Sequence, residues 1–440
     1  MTSGAARITI YLLIAIIPLA LLAFTSSTYY GFLSELGKSS ALVGMMILLM
    51  QPLLAGRYKW ITRPFGFDIV IRFHRNMAIL AVILILAHPV LIAAGSAGFE
   101  LLYSLSVPWY IAVGKAALLV MVLIVILGIS GIPDRLGFER WRLIHDILAP
   151  LLLLLAVVHA WNTGTDFSLA WVRWTTGTAL LLSLVAYIYH RFIRPALLSR
   201  NRYHVFRVDQ LADGVWDITL VPPSGTRVFG YNPGQFQFIT FHRKKGLPEE
   251  EHHWTISSSP TETGVVRSTI KNLGDFTSTI GETREGDTAT IHAPFGRFSY
   301  TTLYQGEDDF VLIAGGIGIT PMISMIRHMR DTGNDFPVLL IYANRDLDSA
   351  VFREELLDIQ RGDALDLEII DILSRPGAEW DGETGYLDEE KLDRYCDGRY
   401  EGRAFYVSGP PPMVSAALKA LHSKDVPDRM IHTEVFSFLD

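Results

Sequence analysis

Residues 71–95 read IRFHRNMAILAVILILAHPVLIAAG, and residues 139–161 read ERWRLIHDILAPLLLLLAVVHAW. Both are dominated by apolar runs of the length a helix needs to cross a hydrocarbon core about 30 Å thick. The first carries His74 and His88 and the second His145 and His159, fourteen residues apart in both cases. Fourteen residues at about 100° each return the second histidine to within about 40° of the first, so each pair shares one helix face. A rise of about 1.5 Å per residue separates the two by about 21 Å along the axis. Two such helices running the same way present two layers of imidazoles. Ionisable groups inside a span are costly and mark function.

Outward from these stretches, the apolar runs crowd into the first ~195 residues, and the rest has the mixed composition of a soluble protein. Of 440 residues, 50% are hydrophobic, and mean hydropathy is +0.29. Six spans are expected, near Ile8–Ser27, Ser40–Leu54, Met77–Gly95, Ile111–Ser130, Ile144–Trp161 and Leu169–Tyr189. This puts His74 just before the third span. The first run is either a signal peptide or a retained span, and a span is expected, because the run is long and no small-residue cleavage site is clear before Gly31. Arg57, Lys59, Arg63, Arg72 and Arg75 follow the second span, Arg135, Arg140 and Arg142 the fourth, and Arg191, Arg194, Arg200 and Arg202 the sixth. The opposite side has little beyond Lys38, Lys115 and Arg173. By the positive-inside rule both termini are cytoplasmic, in the plasma or inner membrane of the cell. His74 and His145 then form an inner layer, His88 and His159 an outer one. The single cysteine, Cys396, excludes internal disulfides and cysteine-ligated clusters, so redox chemistry would need bound cofactors. Net charge is −7 with no basic cluster in the soluble half, which argues against nucleic acid.

A neutral imidazole is a good axial ligand for haem iron. The matched pairs are therefore read as bis-histidine ligation of two b-type haems, one held by His74 and His145, the other by His88 and His159. The alternative, four histidines that pack helices or relay protons, fits a lone histidine better than two pairs in register. Arg72, Arg75 and Arg142 are either partners of inner haem propionates or ordinary positive-inside anchors.

From Tyr203 to Tyr300 short alternating runs (Val215–Val221, Gln235–Phe241, Val265–Ile270, Ala289–Ala293) predict a small antiparallel barrel. From Asp309 onward, continuous apolar runs at Phe310–Ala314 and Val338–Tyr342 alternate with helical patterns and predict a parallel α/β sheet. The expected fold is a six-helix all-α transmembrane bundle over residues 1–195, an antiparallel β-barrel over 203–302, and an α/β nucleotide-binding domain over 305–440. Ala314-Gly-Gly-Ile-Gly-Ile-Thr-Pro321 follows a strand and opens a helix, and Gly315, Gly316 and Gly318 there allow a phosphate to approach backbone N–H groups.

Taken with Glu139–His145, this order of parts resembles the ferric reductase-like transmembrane family, which includes NADPH oxidases and metalloreductases, with a C-terminal ferredoxin–NADP reductase-like module. The resemblance covers nearly the whole chain. It implies an FAD site in which His252, Trp254, Thr255 and Ser257 line the flavin, Trp254 packing on it and Thr255 near its reactive edge. His253 stands where the oxidases usually have proline. Lys271, Gly274, Asp275, Phe276 and Thr277 match the family's pyrophosphate turn, and Tyr231–Phe236 its barrel turn. The glycine-rich turn with Thr320 matches the nicotinamide-cofactor motif. Arg345 matches the position that meets a ribose 2′-phosphate, favouring NADPH, with NADH open. Ser408, Gly409 and Pro410 match a Cys-Gly-Pro turn beside the nicotinamide, serine replacing cysteine. Phe436 matches the terminal aromatic that stacks on the flavin, and Phe438 is the alternative.

The resemblance implies transfer of electrons from cytoplasmic NAD(P)H through FAD and two haems to an extracytoplasmic acceptor, a ferric chelate or oxygen. Thr255, Ser408 and Phe436 are the residues expected nearest the chemistry. The oxidases of the family place a basic residue and a second histidine around the outer haem. Here Lys38 matches the first, but Ile92 occupies the second. A broad-range reductase is therefore expected ahead of a dedicated superoxide-producing oxidase. A cytochrome subunit that donates electrons to a partner protein is the further alternative.

Overall fold

The computed structural model describes residues 3–25, 31–128, 137–163, 166–303, 306 and 309–434. The chain divides into two compact units, Met1–Pro195 and Ala196–Asp440.

The first unit holds six helices long and apolar enough to cross a membrane. They are α1 (Ser3–Thr25), α2 (Phe32–Ala55), α3 (Phe67–Ile92), α4 (Trp109–Leu127), α5 (Phe138–Thr163) and α6 (Ala170–Ile188). Helix α2 is the inside helix. In its most apolar window 61% of residues are buried, against 11–17% in the other five, and it packs on α1, α3 and α6. Burial also explains why its apolar run looked short. Side chains that face protein rather than lipid need not be apolar if their polar groups are satisfied. Ser40 Oγ donates to the Gly37 carbonyl at 2.9 Å and Gln51 Nε2 to the Ile47 carbonyl at 3.2 Å. Small residues bring α2 and α3 close: a Cβ added to Gly44 would stand 2.8 Å from Ile85 Cγ1.

Helices α3 and α5 begin well before the apolar runs, so His74 and His145 lie about two turns inside a helix rather than at its edge. The extra turns are amphipathic, and pairs one turn apart support them. Arg72 pairs with Asp68 at 2.9 Å and Arg142 with Glu139 at 3.5 Å.

In the second unit, β1 (Tyr203–Ala212), β2 (Val215–Val221), β3 (Phe236–His242), β4 (Glu251–Thr255), β5 (Val266–Lys271) and β6 (Thr288–Phe295) form an antiparallel sheet of order β4-β3-β6-β1-β2-β5. Its two edges meet, which closes the barrel. Ser257 N–H donates to the Arg267 carbonyl at 2.9 Å, and Ser268 Oγ to the Thr255 carbonyl at 2.9 Å. Ile218, Leu220, Ile239, Phe241 and Ile256 fill the interior. A one-turn helix, α7 (Asp275–Ser278), follows β5.

The second sheet is parallel, of order β10-β9-β8-β7-β11-β12. Its strands are β7 (Asp309–Gly315), β8 (Val338–Asn344), β9 (Leu367–Leu373), β10 (Glu383–Thr384), β11 (Arg403–Ser408) and β12 (Ile431–Glu434). Helices α8 (Ile319–Thr332), α9 (Arg353–Arg361), α10 (Glu389–Tyr395) and α11 (Pro411–Ser423) accompany it. Strand order reverses between β7 and β11. In open α/β sheets, ligands bind at the carboxyl ends of strands at such a switch point.

Candidate functional site

In the first unit the outer pair of histidines face each other. The His88 and His159 ring centroids are 6.4 Å apart with planes at 71°. His88 Nδ1 lies 3.0 Å from the Gly37 carbonyl and His159 Nδ1 2.8 Å from the Tyr110 carbonyl. A carbonyl only accepts, so each Nδ1 carries the proton and each Nε2 keeps a free lone pair, as a ligating histidine requires. Metal–imidazole bonds of about 2.0 Å, with a ring radius added at each end, give an expected separation of about 6 Å between opposed rings. Both histidines line a cavity of about 700 Å³, otherwise mostly apolar, within the range of cofactor sites. Gly114 also lines it, and a Cβ there would stand 2.5 Å from His159 Nδ1. The donor set and the cavity fit a haem.

Glu35, Lys38, Lys115 and Asp166 also line the cavity. Lys38 Nζ is paired with Glu35 at 2.9 Å and Asp166 at 3.2 Å. Ile92 lines it too. In the other pair, His74 Nδ1 is buried and has no hydrogen-bond partner among the described residues. Trp141 lies against His145, with ring centroids 5.6 Å apart. Among the described residues no three His, Cys, Asp or Glu side chains gather to hold a bare ion. Arg72 and Arg142 pair with carboxylates of their own helices, as surface anchors do. Arg135 lies outside the described residues.

On the barrel, strand alternation puts His252 and Trp254 on one face of β4 and His253 and Thr255 on the other. The expected pyrophosphate turn comes to the first face. The ring of Phe276 lies 4.2 Å from that of His252 and 5.9 Å from that of Trp254. Arg243 lies over Phe276 at 5.0 Å. Thr277 shapes the turn, its Oγ1 accepting from the N–H groups of Leu273 and Gly274 at 2.9 Å each. Asp275 Oδ1 accepts from Phe276 N–H at 2.8 Å, and Lys271 ends β5. A Cβ on Gly274 would meet open space. Thr255 Oγ1 is buried and has no hydrogen-bond partner among the described residues, which suits a polar cofactor atom. Ser257 is turned elsewhere, within a buried cluster with Asp217 and Thr269.

At the switch point, two of the expected motifs meet backbone to backbone. Ala314 pairs with Ser408 across β7 and β11. A Cβ on Gly318 would stand 2.3 Å from the Ser408 carbonyl oxygen, and one on Gly409 would stand 3.0 Å from Gly315 Cα. These glycines are required by the close approach of the turns. Gly316 has φ +51 with open space beside it. A Cβ on Gly315 would stand 2.9 Å from Pro410 Cδ. Thr320 Oγ1 donates to the Ile317 carbonyl at 3.0 Å and holds the turn. Ser408 Oγ is buried and, like Thr255 Oγ1, has no hydrogen-bond partner among the described residues. Arg345 is exposed beyond the end of β8, its Nε 2.7 Å from Asp346 Oδ2. That contact holds the Asp346 carboxyl below its ordinary pKa. Phe436 and Phe438 lie outside the described residues.

Sequence reading did not single out the Gly37 and Tyr110 carbonyls, Gly114, Asp166 or Arg327. Carbonyl partners leave no trace in side-chain identity. Gly114 and Arg327 do: the first is a small residue in an apolar run, the second a charge in a buried stripe.

Residues 40–156 match the family described as ferric reductase like transmembrane component, and residues 312–419 match the oxidoreductase NAD-binding domain. The NADH--cytochrome b5 reductase 1 of Arabidopsis thaliana is 30% identical over 229 residues, 50% of this chain and 80% of that protein. The phenol hydroxylase P5 protein of Acinetobacter pittii is 29% identical over 215 residues, so this chain spans 59% of that relative's length. Among solved structures, a flavohemoglobin from Malassezia yamatoensis with bound FAD and heme aligns over 92% of this chain and 96% of that one. Its TM-score is 0.50 at 18% identity, a likeness of fold. The chain thus carries a transmembrane component of the ferric reductase-like family, within six helices long and apolar enough to cross a membrane, followed by an FAD/NAD-binding oxidoreductase module.

Proposed function

We propose that this protein passes electrons from cytoplasmic NAD(P)H, by way of FAD and two b-type haems, to an acceptor on the other side of the membrane. The observation that carries this reading is the facing pair His88 and His159, 6.4 Å apart, each with Nδ1 held by a main-chain carbonyl. Flavin and haem would supply the conversion of a two-electron donor into single electrons. The chain's own residues position these groups; none need act as a general acid or base. His74 and His145 would hold the inner haem, His88 and His159 the outer. The face of β4 that carries His252 and Trp254, with the Lys271–Thr277 turn, would hold FAD. Thr255, at the end of β4 where the strand's two faces give way to the following turn, and Ser408 would offer to the reacting rings their hydroxyls, unpartnered among the described residues. The turns at Gly315–Thr320 and Ser408–Pro410 would seat the nicotinamide cofactor. The arginine-rich loops support a cytoplasmic location for both termini and the reductase module. The domains on this reading are residues 1–195, 203–302 and 305–440.

Pyridine haemochrome titration of single alanine variants tests the ligand assignment. His74→Ala or His145→Ala should lose the inner haem, and His88→Ala or His159→Ala the outer, each leaving about half the parent content. Full haem content in all four would end it.

For the acceptor, the paired state of Lys38 favours a reductase of broad range, ferric chelates included, over a dedicated oxidase. A cation already held by two carboxylates is a poor site for oxygen or superoxide, and Ile92 donates no hydrogen bond. NADPH oxidation in air, followed by superoxide dismutase-sensitive cytochrome c reduction, is compared with anaerobic ferric-chelate reduction. Stoichiometric superoxide with negligible ferric reduction would reverse the ranking.

A further inference from the structure

Helix α8 opens directly on the glycine-rich turn, and its buried stripe runs Ile319, Ile323 and then Arg327. A charge in that stripe needs full compensation. Arg327 is 3% exposed, and each of its three side-chain nitrogens donates a hydrogen bond. Nε and Nη2 donate to the two oxygens of Glu355 on α9, at 2.7 and 2.6 Å. Nη1 donates to the main-chain carbonyl of Ser257 at 2.6 Å. Its guanidinium also lies 5.0 Å from the centroid of the Phe352 ring, at the start of α9. Burial alone would raise the Glu355 carboxyl, but the Arg327 contact outweighs it and holds the pKa below the ordinary value.

Ser257 follows Thr255 by two residues on the barrel, so Arg327 ties the nucleotide-binding layer to the end of β4. A second tie lies one turn earlier. Ser324 Oγ donates to the Ser258 carbonyl at 2.7 Å and accepts from Gly234 N–H at 3.2 Å. From Thr320 to Arg327 is seven residues, about 10 Å of rigid helix. One rod thus carries at its start the turn proposed to seat the nicotinamide, and two turns on, the grip on the strand proposed to meet the flavin.

We propose that Arg327 is a positioning residue that sets the distance between the bound nicotinamide and the flavin edge. This rests on the reading of Thr255 and the glycine-rich turn as the two sides of the hydride-transfer site. In that step a hydride, one proton with two electrons, leaves the reduced nicotinamide and adds to the flavin, giving NAD(P)⁺ and reduced flavin. Misplacement of reacting groups by about 1 Å costs up to roughly a hundredfold in rate. Glu355 anchors the arginine and Ser324 shares the load.

The test uses the full-length, flavin-loaded chain in detergent or nanodiscs. Arg327→Met is made beside Arg327→Lys and the double variant Arg327→Met/Glu355→Met, which leaves no unpaired charge. Stopped-flow measures flavin reduction by NADPH per bound flavin, and hydrogen exchange is followed without nucleotide at the Thr255–Ser259 segment. Arg327→Met and the double variant should slow flavin reduction by about tenfold or more. Flavin content and NADPH affinity should stay near the parent's, exchange at Thr255–Ser259 should rise, and Arg327→Lys should recover part of the rate. An unchanged rate per flavin in the double variant overturns the inference, as does a loss of rate that only tracks lost flavin. If NADPH fails to reduce the flavin of the parent chain, the underlying functional reading falls instead, whatever the exchange data show.

Discussion

Arg345 and Asp346 stand together beyond the end of β8, at the position proposed to meet the ribose of the nicotinamide cofactor. The arginine suits a 2′-phosphate and the aspartate suits ribose hydroxyls. In the structure each occupies the other, so cofactor choice becomes a competition for Arg345 between a neighbouring carboxylate and an incoming phosphate. We expect Arg345→Ala to raise the apparent KM for NADPH several-fold, from the loss of a charge-assisted contact, while that for NADH stays within about twofold. Steady-state kinetics with both cofactors checks this, and equal shifts would remove Arg345 as the discriminator. At this scale the sequence reading was uneven. Gly315 and Gly318 were legible as a turn that lets a phosphate approach, and Gly409 through the family resemblance; that the two turns need glycine to pack on each other is visible only in the structure. Ser257 could not be sorted from its neighbours, because strand alternation and a buried aspartate decide where its hydroxyl turns. Arg327 was legible in principle, as a charge in phase with Ile319 and Ile323, but its partners are 28 and 70 residues away.

Helices and strands were the most legible level. Val215–Val221 coincides with β2, and Phe310–Ala314 and Val338–Tyr342 fall inside β7 and β8. Membrane helix ends were not legible, because hydropathy reports the part that meets hydrocarbon whereas the helix continues into interfacial turns held by ion pairs. The length of α2 was hidden for the opposite reason, since a helix surrounded by protein need not be uniformly apolar. Element packing also gives a prediction for the outer site. Helix α4 approaches His159 through Gly114, and a methyl group there would lie 2.5 Å from His159 Nδ1. Gly114→Ala should displace the imidazole, at a cost of about 1–3 kcal/mol for overpacking. Low-temperature EPR of the oxidised protein should show one haem signal altered and the other retained. Gly44→Ala, which crowds Ile85 and no histidine, is the control. Identical spectra in Gly114→Ala and parent would contradict the assignment of His159.

The whole molecule joins two units with different solvents. In the first, two pairs of histidines, fourteen residues apart within each pair, mark function, since ionisable groups inside a span are costly. In the second, the parallel sheet brings the turn at Gly315–Gly318 against the turn at Ser408–Gly409, a distance in sequence that no local pattern encodes. On the proposed function, reducing equivalents from a nicotinamide cofactor would reach haem iron in the same polypeptide. The direct measurement is an anaerobic visible spectrum of the purified full-length chain, with haem and flavin quantified, before and after addition of NADPH. The expected result is about two haems per flavin, six-coordinate low-spin spectra as bis-histidine ligation gives, and conversion of the haem bands to the reduced form by NADPH alone. A purified, flavin-loaded protein without haem, or one whose flavin is bleached by NADPH while its haems stay oxidised, would contradict it.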